Sequence, residues 1–348
     1  MEEYSLKNEV VKVVTHAKTR LFLLVVIAGI VLISGCTQQK NQMPVTDESQ
    51  KASQQQILVD RESKIPEDAI KVSPNTDVHP PKLHSDEYEQ PVPLPYPINT
   101  AGAEDSAFIT PDGKTLYFFF TPDVDVPPEK QLVDGVTGIY VSKKHNNEWS
   151  KPERIILSED VALDGCPFVQ GNEMWFCSVR EGNYRSVDIY IAEFKDGKWQ
   201  NWRNAGKKLN LDYEIGELYI TPDGKELYFH SSREGGKGGY DIWVTRRVNG
   251  EWQEPENIEA VNTPENEGWP FITQDGKELW FTRTYNGSPA IFRSKKVNGM
   301  WQEPELIISQ FASEPSLDAR GNIYFVHHFF KDGKMIEADI YVAKRKIN

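Results

Sequence analysis

Cysteine is scarce in this chain of 348 residues, which has three. Three thiols cannot build a four-cysteine zinc site, and an odd number suggests that one has a separate task. Positive charge is also short: 39 Lys and Arg face 52 Asp and Glu, a net charge of −13. With no dominant basic block, the composition counts against nucleic acid as a partner. The 7 His form no metal-ligand spacing, and no nucleophile elbow accompanies any Ser. Long helices are disfavoured because 24 Gly and 22 Pro interrupt the chain too often. Aromatic residues, by contrast, are plentiful. Nine Trp, 14 Tyr and 16 Phe in so hydrophilic a chain point to a folded, strand-rich body.

The single long apolar run, LFLLVVIAGIVLI at 21–33, follows Lys12, Lys18 and Arg20 and precedes Ser34-Gly35-Cys36. A basic region, an apolar core and a small-residue processing site make an export signal. The core is shorter than the roughly 20 residues of a membrane span. Ile33 to Cys36 resembles the lipobox of bacterial lipoproteins, with Ile33 departing from the usual leucine. That resemblance implies a signal peptide over 1–35, a lipidated (palmitate-bearing) Cys36, and a cell-envelope location facing outside the cytoplasm. Thr37 in place of Asp resembles outer-membrane sorting in Gram-negative bacteria. Residues 36–90 are rich in Gln, Ser, Pro and acids with no aromatic before Tyr88, so they are expected to form a disordered tether.

Beyond residue 90 the chain repeats. FITPDGKTLYF (108–118), FVQGNEMWF (168–176), YITPDGKELYF (219–229), FITQDGKELWF (271–281) and SLDARGNIYF (316–325) each read as strand, turn, strand. Their turn glycines are Gly113, Gly171, Gly224, Gly276 and Gly321, at spacings of 58, 53, 52 and 45 residues. A third strand follows in each unit, centred on Tyr140, Tyr190, Trp243, Phe292 and Tyr341. A fourth begins at Trp149, Trp199, Trp252 and Trp301, and unit 2 departs with WQNWRNA where the others read like WQEPENI. Pro presets the first dihedral of the TPDG turn, and Gly takes its left-handed position. Four short strands recurring at about 50 residues describe a β-propeller. The expected fold is all-β: a five-bladed β-propeller of four-stranded antiparallel blades over 91–348. The fifth unit ends before a fourth strand, so residues near 92–98 are expected to close the last blade. Their prolines suit an edge.

These repeats resemble the WD-like propeller repeats of the TolB family, particularly its envelope lipoproteins, over roughly 95–345. The resemblance implies a scaffold outside the cytoplasm that binds proteins or saccharides. No OmpA-like domain is expected with these repeats.

In a propeller the inner-strand entrances meet an axial channel, the place to seek a site. Asp105, Asp164, Glu217, Glu267 and Glu314 lie near that end of their strands, with Trp269 as a candidate stacking surface. Their offsets from the turn glycines differ, so they need not all face inward. Sugar hydrolysis would need two such carboxyls at a set separation, one with a raised pKa. Oxygen ligands would suit Ca2+, although no calcium-loop spacing is present. No cofactor is otherwise expected. Asp188, Asp241 and Asp339 at the third strands, and Arg180, Arg233 and Arg283 after the second, read as structural. Counting outward from Gly171-Asn172 sets Cys166 opposite Cys177 as a hydrogen-bonded pair, leaving a disulfide and two reduced thiols both open. The expected function is a membrane-anchored interaction scaffold whose partner is an envelope or surface protein. The alternative is a propeller that binds or cleaves carbohydrate with the mouth acids.

Overall fold

The computed structural model describes residues 59–158 and 160–347; the export signal and Cys36 lie outside the described residues. The repeat turns show why the strands reverse where they do. Gly113 has φ +68°, and its N–H donates to the Thr110 carbonyl at 2.8 Å. The Asp112 carboxylate accepts from Thr110 Oγ1 (2.6 Å) and from the Lys114 N–H (3.0 Å). The Thr221–Glu226 and Thr273–Glu278 turns are built the same way.

Five inner strands result: Ala103–Ile109, Leu163–Gln170, Leu218–Ile220, Glu267–Ile272 and Ala312–Leu317. Each pairs antiparallel with a second strand, which pairs with a third. The fourth position varies, and proline decides how. Pro152, Pro255 and Pro304 split the outer strands of units 1, 3 and 4 into pieces such as Glu148–Trp149 and Glu153–Arg154, because proline cannot donate to a ladder. Unit 2 has no proline there and keeps an unbroken strand, Lys198–Asn204. In unit 5, Val92–Pro93 pairs with Val342 and Tyr341.

The inner strands pack side by side in chain order, and the fifth also packs against the first. Phe108, Phe168, Tyr219 and Phe271, at equivalent positions, form a belt with centroids 5.3, 4.8 and 4.6 Å apart. In unit 5 the same position is Ser316, whose Oγ accepts from the Ile109 N–H at 3.0 Å. The architecture is all-β and propeller-like.

The expectation of a free tether up to residue 90 needs correction, because from Val59 onward the chain lies on the sheets. Arg61 is 3% exposed. It bonds Glu104 (3.1 Å) and the Pro97 and Ile98 carbonyls, and it lies over the rings of Phe118, Phe120 and Tyr140. Lys71 pairs with Glu337 and Asp339, and Asp77 bonds His327 Nε2 at 2.9 Å. Lys82–Leu83 adds a strand outside Glu305–Ser309, Glu87 pairs with buried Arg293, and buried Tyr88 bridges to Arg345.

The repeats themselves explain this strap. In units 2 and 4 an arginine near the end of the second strand or just past it pairs with an acid at the inner strand, Arg180 with Asp164 and Arg283 with Glu267. Each also covers aromatic rings of its own unit. No arginine follows the second strand in units 1 and 5. Arg61 supplies the missing cation to unit 1. Lys71 supplies it to unit 5, with Nζ 5.5 Å from the centre of the Phe329 ring.

Candidate functional site

Four of the five inner strands carry a bulge where the register slips: between Asp105 and Phe108, Gly165 and Phe168, Gly268 and Phe271, and Ser313 and Ser316. The bulged residue is left-handed each time: Ser106 (φ 49°), Cys166 (51°), Trp269 (52°) and Glu314 (57°). Glu217 holds the matching place in unit 3. Proline follows in three units (Pro167, Pro270, Pro315), where the interrupted ladder needs no donor. A bulge re-aims its side chain, and here all five converge. Ser106, Cys166, Glu217, Trp269 and Glu314 line one axial cavity of ≈ 60 Å³.

The second strands hold these bulges in place. The Trp269 N–H donates to His230 Nδ1 (3.4 Å), and the Glu314 N–H donates to Thr282 Oγ1 (2.9 Å). Cys177, at the position equivalent to His230, forms a disulfide with Cys166 across 5.5 Å between Cα atoms. The bulge changes the expected register, so that Gly165 rather than Cys166 stands opposite Cys177. Replacing both cysteines by serine should lower stability by about 2–3 kcal/mol, as expected for so short a loop. Denaturant titration with and without reductant would measure this, and reductant should leave the double variant unchanged.

The six expected mouth residues fall into two groups. Asp164 and Glu267 lie two residues before their bulges and point away from the axis. Asp164 bonds Arg180 and Ser178 at 2.6 and 2.7 Å; Glu267 bonds Arg283 and Thr263 at 2.8 and 2.6 Å. Both are structural, as is Glu104 of unit 1, the equivalent acid that the sequence reading missed. Asp105, Glu217, Glu314 and Trp269 do meet at the axis. Trp269 packs on His230 (5.1 Å between ring centres) and is a wall of a cavity too narrow to admit a sugar ring beside it.

The axial carboxyls are not alike. Burial, with the charges of Asp105 and Glu217 added, pushes Glu314 far above the carboxylate range. Burial and Asp105 push Glu217 up to about 8. Burial would raise Asp105 too, but the His328 imidazole beside it (3.7 Å) and the Ser106 N–H (2.9 Å) outweigh that and hold it low. One ionised carboxylate thus sits among two protonated acids. His328 is an unforeseen member of the group. Its neighbour His327 turns the other way to Asp77, as strand alternation requires. One donor atom each from Asp105, Glu314 and His328 lie within 4.8 Å of one another, an arrangement that could hold a cation. The imidazole makes the set less suited to Ca2+ than to a nitrogen-accepting metal.

The remaining expected residues are structural. Asp188 accepts from the Tyr184 and Arg185 N–H groups, and Asp241 from those of Lys237 and Gly238. Arg233 pairs with Glu254.

Fold and site together define an all-β, propeller-like protein with a narrow, acid-lined axis. No family model matches the chain, and no curated protein does. Among solved structures it is similar to TolB from Acinetobacter baumannii, at 15% identity and a TM-score of 0.43, over 72% of this chain and 56% of that one. It is also similar to the endo-arabinase from Bacteroides thetaiotaomicron, at 16% identity and a TM-score of 0.45, over 71% and 95%. A third is the GH62 α-L-arabinofuranosidase catalytic domain from Coprinopsis cinerea, at 9% identity and 0.46, over 75% and 96%. The chain thus spans little more than half of the TolB structure. No activity is carried over from these likenesses.

Proposed function

We propose that this chain is a lipid-anchored, extracytoplasmic five-bladed propeller that binds an envelope or surface protein. The cyclic packing of five inner strands, the five equivalent residues on one cavity and the pairing of Val92–Pro93 with the last unit support the blade count and closure. The Ser34-Gly35-Cys36 pattern supports the anchor, and the Cys166–Cys177 disulfide supports an oxidising compartment.

One observation carries the binding reading. The outer edge of unit 2 is the only unbroken fourth strand among the described residues, and Trp202 (37%) and Phe194 (42%) stand exposed beside it. Elsewhere prolines or the strap blunt the outer edge, as monomeric sheets require. An open edge flanked by aromatics suits an extended segment of a partner, which gains main-chain bonds and side-chain contacts together. Crosslinking and pull-down from membranes tests this. Wild-type protein should capture a discrete partner, and the Trp202→Ala/Phe194→Ala variant should lose it. Equal capture by both would overturn the reading.

The clustering of one donor atom each from Asp105, Glu314 and His328 within 4.8 Å supports a second reading, a cation held there in place of the Glu314 proton. Mn2+ or Zn2+ should then raise the melting temperature more than Ca2+ does, and Asp105→Asn should abolish the difference. An identical response in that variant would exclude the site.

A further inference from the structure

The outer strands can be compared position by position. Starting two residues after the tryptophan that opens each of them, unit 1 reads Lys151-Pro152-Glu153, unit 3 Glu254-Pro255-Glu256 and unit 4 Glu303-Pro304-Glu305. Unit 2 reads Asn201-Trp202-Arg203. Proline has given way to an aromatic that keeps its N–H, and at the third place an acid has given way to a cation. The whole strand, Lys198–Asn204, carries Lys198 and Arg203 and no acid. In a chain with a net charge of −13 this is a local reversal. The sheets do not need it, since units 3 and 4 are built with acids at the same places.

The hairpin sorts its side chains onto two faces. Lys195 stands opposite Lys198, Glu193 opposite Gln200 and Ile191 opposite Arg203, so these residues share one face. Phe194 stands opposite Trp199 on the other, with ring centres 5.1 Å apart. Trp202 joins that second face, 5.8 Å from the Tyr190 ring and stacked on the Arg180 guanidinium. On the first face Arg203 holds both acids, Glu173 at 3.3 Å and Glu193 at 3.5 Å, and all three side chains are half-exposed. Ion pairs so exposed are worth little and exchange easily. Asp196 lies in the turn beyond the strand, and neither Lys195 nor Lys198 has an ion-pair partner among the described residues. A bulge at Asn201 (φ 53°) bends the strand, so an incoming segment pairs over a short stretch on either side of it.

Charge and alternation together select the occupant. A segment laid along this edge sends alternate side chains to the two faces. One set meets Lys195, Lys198 and Arg203; the other meets Phe194, Trp199 and Trp202. A second copy of this chain would bring Lys198 and Arg203 beside their own kind along one ladder, which is unfavourable.

We propose that the segment taken up by unit 2 is an acidic strand in which carboxylates alternate with apolar side chains. This rests on the edge-binding reading above and adds to it the charge and the pattern of the partner.

Fluorescence anisotropy with the full chain in detergent tests it, using short blocked peptides that alternate valine with glutamate, with serine or with lysine. The glutamate peptide should bind most tightly and weaken as salt is added. Lys198→Glu/Arg203→Glu should weaken it about ten-fold, because two exposed attractions become repulsions, and should turn the preference to the lysine peptide. Asn201→Glu/Trp202→Pro/Arg203→Glu, which gives unit 2 the triplet that units 3 and 4 already fold with, should abolish binding. Equal binding of the three peptides, or a preference unmoved by Lys198→Glu/Arg203→Glu, would overturn the acidic assignment; the edge reading would survive if Trp202→Ala/Phe194→Ala still lost the captured partner. Glutamate-peptide binding that persists in Trp202→Ala/Phe194→Ala would overturn both. A dimer in analytical ultracentrifugation that becomes monomeric in Asn201→Glu/Trp202→Pro/Arg203→Glu would show a second copy on the edge and overturn the proposal.

Discussion

A chain that begins at Pro91 should fail to form the native ring, and Arg61→Ala in the full chain should cost about 3–5 kcal/mol. The reason lies in what Arg61 leaves behind. Glu104 is 0% exposed, and burial already pushes its carboxyl up to about 7 with the guanidinium beside it. Without the arginine, the Thr100 N–H (2.9 Å) and Thr100 Oγ1 (2.6 Å) remain as its partners, and the Phe118, Phe120 and Tyr140 rings lose the cation above them. Breaking one side of a buried pair costs far more than the pair is worth against an apolar substitute. Arg61→Met with Glu104→Gln should therefore recover much of the loss. Urea denaturation of the wild type, Arg61→Ala and the double variant measures all three. A loss below about 1 kcal/mol for Arg61→Ala would mean that the strap merely lies on the ring.

The strap was also the part least legible in sequence. Periodicity identifies elements that bury a face, and residues 59–90 bury none. They are fixed by separate anchors (Arg61, Lys71, Asp77, Glu87 and Tyr88) docking on sites the ring has already formed. A readable trace did exist: the arginine present near the end of the second strand in units 2 and 4 is missing in units 1 and 5. The strands and turns, by contrast, could be read because each TPDG turn carries its own stereochemistry. The axial residues were half legible. Acids near the strand entrances stood out, but the left-handed bulge decides which of two neighbouring acids faces inward. Cys166-Pro167-Phe168, Trp269-Pro270-Phe271 and Glu314-Pro315-Ser316 mark that bulge in sequence. Reading them as one motif would have separated Glu314 from Glu267.

Stability should fall as pH rises from about 5 to 8, and Glu217→Gln/Glu314→Gln should flatten that slope and make the protein more stable than wild type at pH 8. Both glutamates hold their protons in the folded state well above the unfolded value, Glu217 up to about 8 and Glu314 further. A group with a raised folded pKa contributes stability in full below its unfolded pKa, and that contribution is lost as pH climbs through the folded value. Asp105 acts oppositely: its folded pKa is depressed, so its contribution is present above the unfolded value and lost in acid. The two trends place the optimum near pH 5. Each amide should gain on the order of 2 kcal/mol at pH 8, since a unit of pKa difference is worth about 1.4 kcal/mol. Melting curves across pH would show the crossing, and parallel curves for variant and wild type would refute the assigned protonation states. A gain would carry a functional consequence as well. Residues kept at a cost to stability are those that activity or binding requires. A stabilised double variant that also loses cation binding would therefore tie the strain on the axis to what the axis does.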